Sequence, residues 1–162
     1  MTTTTTPFRA LRCAIRPEWL SASMAHLFVA NYVMLFNNAA SGFFAGIGLD
    51  APHMATYGQS FVVGGLQLRY EREIFGGEIA LVDIIVADAD DRRAHLALEM
   101  FREGEPGRIC FAEMLFVSVS RATSRSAPWA GETGPRLAAM KAAHDALPRP
   151  RGFGAGIGIT RR

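Results

Sequence analysis

Between His26 and Leu49 the chain reads HLFVANYVMLFNNAASGFFAGIGL, with no Asp, Glu, Lys or Arg in it. Phe28, Tyr32, Leu35, Phe36, Phe43 and Phe44 recur there at helical spacings. The pattern predicts one helix, about 30 Å long if helical throughout. A helix on a protein surface carries a charged face; this one has none, which predicts burial along most of its length. Ala39, Ala40, Ser41 and Gly42 leave one side free for close approach. A bilayer span has a similar length. Asn31, Asn37, Asn38 and the late glycines Gly46 and Gly48 argue against a span, as does the lack of a closely preceding basic flank. We read a helix covered by a sheet.

Before it, residues 8–16 form a short extended segment that Pro17 stops. After it, residues 50–58 make a polar connection with one helical turn following Pro52. The period then changes to two. In residues 59–73, Leu66, Leu68 and Tyr70 fall on one face and Gln67, Arg69 and Glu71 on the other. Gly64 and Gly65 in the middle predict a bulge or a close backbone approach. Three further strands follow at 78–88, 93–103 and 108–121, with turns at FGGE, ADDRR and GEPG. Four long strands joined by tight turns predict an antiparallel meander. Residues 135–147 read as a surface helix carrying Leu137, Met140 and Leu147. The organisation expected is a disordered tail at 1–7, a single domain at 8–147 and an extended tail at 148–162. The class is α+β, with an antiparallel sheet wrapped around a long buried central helix. Such a sheet leaves edges and a far face to cover, which predicts a homodimer or a dimer of dimers.

Composition narrows the classes. A chain of 162 residues is one domain by length and can bury a core without staples. Its net charge of +2 is small and scattered, so no nucleic-acid footprint is present. Cys13 and Cys110 lie in apolar runs without metal-ligand spacing and read as reduced core residues. The opening MTTTTTPF has no apolar core of a signal peptide. We expect a cytoplasmic protein without a membrane partner.

Several strings, in order, resemble one family. They are Arg16-Pro17-Glu18-Trp19, His26 at the helix start, Tyr32 and Phe36 within it, and Gly48-Leu49-Asp50 after it. Leu66 to Tyr70, His95 with Glu99-Met100, Glu113 before Leu115-Phe116-Val117, and Gly156 to Ile159 complete the series. The series resembles the hotdog-fold thioesterases related to 4-hydroxybenzoyl-CoA thioesterase, and among them the betainyl-CoA thioesterase-like proteins. The resemblance implies a hotdog fold and hydrolysis of an acyl-CoA thioester by water. It implies no metal and no cofactor beyond the coenzyme A carried by the substrate.

The match fails at the catalytic string. These enzymes resemble one another in an Asp-x-x-Gly-His leading into the helix; counted back from His26, the glycine position is Ala25 and the aspartate position is Ala22. Leu20 to Leu49 contains no carboxylate at all. The missing group would be general base or nucleophile toward the thioester carbonyl. The helix N-terminus can still offer backbone N–H groups, from Ala25 or His26, to a developing oxyanion.

His26 and Asn37 are therefore the catalytic candidates, His26 as a base or water-polarising group and Asn37 as a group orienting water or carbonyl. Ala25, Phe36, Ala40 and Tyr70 are the candidate substrate contacts, with Phe36 and Ala40 against the acyl group. Glu99 and Glu113 are further carboxylates, readable either as active groups or as ion-pair partners of Arg69, Arg93 or Arg108. Glu18 is a more distant option, and Ser21 and Ser23 lack a base and acid to activate them. Arg149, Arg151, Arg161 and Arg162 could meet the phosphates of coenzyme A or form a basic tail. Two rivals share the fold: a protein that binds acyl-CoA or acyl carrier without turnover, and a dehydratase-like enzyme. The acid-free helix counts against the second.

Overall fold

The computed structural model describes residues 6–156 and 159. Residues 1–5 of the expected N-terminal tail, and Arg161 and Arg162, lie outside the described residues. The elements run β1 (Phe8–Ala14), α1 (Val29–Gly46), α2 (Ala51–Tyr57), β2 (Gln59–Tyr70), β3 (Ile79–Ala89), β4 (Arg93–Arg102), β5 (Arg108–Ser120) and α3 (Thr133–His144). A short 3-10 turn at Pro17–Trp19 follows β1. Asp50 caps α2 by accepting from His53 N–H at 2.9 Å. Gly58 closes α2 in the left-handed region, with φ 57°.

One five-stranded sheet has the order β1-β3-β4-β5-β2, and every neighbouring pair is antiparallel. The strands do not form the expected four-strand meander. β3, β4 and β5 do so, but β2 pairs with β5 at the far edge, and β1 takes the place beside β3. Residues 71–78 are a crossing, not a hairpin. They cover three strand spacings, about 14 Å, which eight residues reach easily. The crossing is held on its way: Leu27 N–H donates to the Ile74 carbonyl at 2.8 Å, and His26 pairs with Phe75 as an isolated antiparallel bridge. Its end is tied to the strand on the opposite edge, where Ile15 N–H donates to the Glu78 carbonyl at 2.8 Å. The expected irregularity at the glycine pair is present, as a register shift between Val63 and Gly65. A Cβ on Gly64 would lie 3.0 Å from Val117 Cγ2, so the strands approach closely there.

α1 buries one face, not its whole circumference. Tyr32, Leu35, Phe36, Ala39, Ala40, Phe43 and Phe44 are buried. Asn37, Asn38, Ser41, Gly42, Ala45 and Gly46 are exposed. The helix lacks charge because its outward face is small and amide, which hydropathy alone does not separate from a buried one. Its inward face packs on Val82, Ile84, Leu96, Leu98, Met100, Ala112, Met114 and Phe116. Phe44 sits among Phe61, Phe116 and Trp129, with ring centroids 4.5 to 5.8 Å apart. Side chains of this size contribute about 1.5–3 kcal/mol each on full burial, which makes this interface the main stabilising layer.

The other face of the sheet carries a smaller cluster, Ile85, Ala87, Ala97 and Phe111, covered by Leu147 and Phe153. The segment after α3 was expected to be extended; it turns back instead, with Phe153 N–H donating to the Pro150 carbonyl at 3.1 Å. Burying Phe153 is what folds it down. Among the described residues no single helix is long and apolar enough to cross a membrane; α1 and α2 reach that length only together, across a 69° bend.

Candidate active site

The approach to α1 is a tight loop stitched by its own backbone. Ser21 N–H donates to the His26 carbonyl at 2.8 Å and Ala25 N–H to the Ser21 carbonyl at 3.2 Å. Ala25 has φ 57°, in the left-handed region that favours glycine. The alanine at the expected glycine position thus keeps the glycine's conformation at some strain. The Trp19 carbonyl accepts from Phe28 N–H at 2.9 Å and from Asn31 Nδ2 at 2.8 Å, which fixes where the helix begins. Phe28 stands at the N-cap and offers no side-chain acceptor. Asn31 N–H donates to the Phe28 carbonyl at 2.9 Å, while the N–H groups of Val29 and Ala30, the first two of α1, lack intrahelical partners and carry the positive end of the helix dipole.

A pocket of about 350 Å³ opens at this point. His26, Leu27, Val29 and Tyr32 line it from the helix start, and Tyr70, Glu71, Arg72 and Glu73 from the crossing. His26 Nδ1 lies 2.9 Å from the Leu27 carbonyl. That carbonyl can only accept, so Nδ1 carries the proton and the lone pair of the neutral ring is on Nε2. Nε2 in turn lies 3.8 Å from Glu73 Oε1. Tyr70 Oη donates to the Val29 carbonyl at 3.3 Å, and its ring meets Tyr32 edge-on at 5.2 Å. Burial pushes the Tyr32 phenol up to about 12 and also raises that of Tyr70, so both remain protonated at neutral pH.

The neighbouring charges are otherwise engaged. Glu71 is bonded by Arg108 and Arg151, and the Arg108 hydrogen bond holds its carboxyl below the usual range. Arg72 donates to the carbonyls of Arg108 at 3.2 Å and Pro106 at 2.7 Å. Among the described residues, His26 Nε2 is the one basic side-chain nitrogen within 4 Å of the Glu73 carboxylate.

The structure brings His26 and Tyr70 together at the pocket and places Ala25 in the adjoining turn. Ala25 N–H is already spent on Ser21, so the backbone donor left at the pocket lining is that of Val29, the first residue of α1. Phe36 and Ala40 are wholly buried between helix and sheet and do not line the pocket. Asn37 is exposed, eight residues or about 12 Å along α1 from Val29. Glu99 pairs with Arg108 at 2.8 Å, and Glu113 is buried against His95. Glu18 lies 3.9 Å from Arg16, Arg149 bonds Asp145, and Arg151 bonds Glu71. Ser21 and Ser23 hydroxyls meet each other at 3.2 Å. Sequence reasoning missed Glu73 because it read residues 59–73 as continuous strand; β2 ends at Tyr70. The run Glu71-Arg72-Glu73 just before FGGE was the available signal that alternation had stopped.

Comparison with known proteins gives consistent relatives. A family model described as the thioesterase-like superfamily matches residues 15–138. A betainyl-CoA thioesterase of Pseudomonas aeruginosa is 31% identical over 145 residues, covering 90% of this chain and 91% of the relative. A hypothetical protein of Staphylococcus aureus, solved in complex with CoA, superposes with a TM-score of 0.85 at 18% identity, over 98% of this chain and 100% of the other. A DHNA-CoA thioesterase of the same organism gives 0.74 at 18% identity, over 83% of this chain and 91% of the other.

Proposed function

The chain belongs to the thioesterase-like superfamily and has its hotdog fold, and from that premise we propose that it hydrolyses an acyl-coenzyme A thioester with water. The observation that carries the reading is the pocket at the start of α1, where an imidazole with a fixed tautomer faces the N-terminus of a helix. His26 Nε2 takes a proton from water, and the oxygen attacks the thioester carbonyl carbon. The oxyanion that develops is stabilised by Val29 N–H and the helix dipole. The C–S bond then breaks, and the thiol sulfur receives the proton back from Nε2. The products are the carboxylic acid and free coenzyme A, and no group beyond the substrate's own coenzyme A is needed.

Ala22 occupies the expected aspartate position, so His26 supplies the base that the loop lacks. Its contribution should be about 10²–10⁴-fold in rate. A panel of acyl-CoA thioesters with short, long, aromatic and cationic acyl groups, read by thiol release, tests this. The cationic member is suggested by the betainyl-CoA relative. Turnover of at least one class by the native chain and its loss in His26→Ala support the reading. No turnover across the panel, or full activity in His26→Ala, overturns it.

The pair of chains is part of the same proposal. β2 is an edge strand whose Val62, Val63, Leu66 and Tyr70 are exposed. An apolar unpaired edge of this kind invites a second copy. Light scattering on the native chain should give a dimer or a multiple of it, and Val63→Lys should lower the mass. Free Cys13 and Cys110 fit the reducing cytoplasm in which we place the protein.

A further inference from the structure

We propose that Glu73 is the carboxylate partner of His26, assisting from the crossing segment in a site whose entrance loop carries no acid. The inference rests on the hydrolase reading above and goes beyond it by naming a second residue.

The geometry has three parts. His26 Nδ1–H is committed to the Leu27 carbonyl, so Nε2 is the nitrogen that can take and return a proton. Nε2 points toward Glu73 Oε1 at 3.8 Å. That separation is too long for a hydrogen bond and short enough for strong charge stabilisation. The neutral imidazole gains little from the carboxylate, whereas the imidazolium formed as water is deprotonated gains much. Stabilisation of this kind is stronger in the transition state than in the ground state and so acts on kcat.

The backbone that carries the carboxylate is held in place. The Glu73 carbonyl accepts from Arg102 Nη2 at 2.7 Å, and the next residue, Ile74, is fully buried with its carbonyl bonded to Leu27 N–H. The backbone that follows the side chain is therefore pinned to the sheet and to the helix entrance. The other titratable and charged groups at the pocket are Tyr32, Tyr70, Glu71 and Arg72. The two phenols stay protonated, and Glu71 and Arg72 are turned to the partners described above. Glu73 is thus a positioning and charge-stabilising residue acting through His26, and the proton balance of the reaction is unchanged: water to Nε2, then Nε2 to the departing sulfur.

The test uses the full chain and whichever thioester of the panel it turns over, with kcat and KM measured from about pH 5.5 to about pH 9. Glu73→Gln should lower kcat by about 10-fold or more with KM nearly unchanged, a size typical of partners that orient and charge a reacting group. Glu73→Asp should recover part of the rate. Adding Glu73→Gln to His26→Ala should have no further effect, since the two act as a unit. An unchanged kcat in Glu73→Gln overturns the inference. So does a rise in KM confined to cationic acyl groups, which would make Glu73 a substrate contact. If the native chain has no turnover or His26→Ala keeps it, the hydrolase reading itself fails; if only Glu73→Gln is silent, this inference alone does.

Discussion

Two histidine–glutamate pairs lie on opposite faces of one sheet, and their surroundings give them different work. His26 and Glu73 stand 3.8 Å apart in an open pocket, with the imidazole 24% and the carboxylate side chain 54% exposed. His95 and Glu113 stand 3.1 Å apart, with side chains only 3% and 0% exposed. Phe153 stacks on His95 at 5.2 Å, and Gly154 N–H donates to Glu113 Oε1 at 2.9 Å. The second pair is a tether for the segment after α3. Glu113 Oε1 meets both His95 Nε2 and Gly154 N–H, and burial keeps His95 below the usual imidazole range. The same two side chains make a reactive couple where solvent and substrate can enter, and a clasp where they cannot. Distance alone would have ranked them the wrong way round.

The sharpest way to break this comparison is to make one change at both pairs. His26→Ala should cut kcat by about 10²–10⁴-fold with an unmoved melting temperature. His95→Ala should leave kcat near the native value and lower the melting temperature instead. Thiol-release kinetics beside a thermal melt would check both. Next in size, Glu113→Ala should destabilise the fold by about 2 kcal/mol, because His95 and Gly154 N–H lose a buried acceptor. Glu73→Ala should stay within about 0.5 kcal/mol; denaturant titrations of the two proteins decide it. Removing the lid ring, Phe153→Ala, should cost about 1 kcal/mol and raise proteolysis after residue 147.

The mildest expected effect is on pH. His95 and His144 are both lowered by burial, so the folded chain leaves them neutral while the unfolded chain binds their protons below about pH 6.5. Protons then favour the unfolded state, and stability should fall as pH drops below that value. His95→Gln should flatten the fall, which denaturation midpoints at several pH values would show.

The fold was legible where local periodicity dictates it. The uncharged helix, the five strands, the Gly64 irregularity and the helical turn after Pro52 could all be read from residue order. Strand neighbours could not, because FGGE is as good a hairpin turn as it is the end of a crossing. Nothing local reports that β2 pairs with β5. The site suffered from the same gap. His26 and Tyr70 could be found from residues and resemblance, whereas Glu73 acquires meaning only once the crossing passes the helix start. Phe36 and Ala40 were placed near the acyl group because an apolar stripe looks alike whether it lines a cavity or fills a core. Glu99 and Glu113 stand on neighbouring strands and still differ in role: the first met Arg108 as an ion pair, the second a histidine that a reading by charge would pass over.

The route taken by residues 71–78 also orders events during synthesis. β2 leaves the ribosome early, yet the strand it leans on, β5, ends only at Ser120. Until that stretch has emerged, the crossing has one unsupported shoulder and the mouth of the pocket has no fixed wall. A nascent chain halted ahead of β5 would hold the helix and no working site, so activity should arise late and nearly all at once as translation finishes.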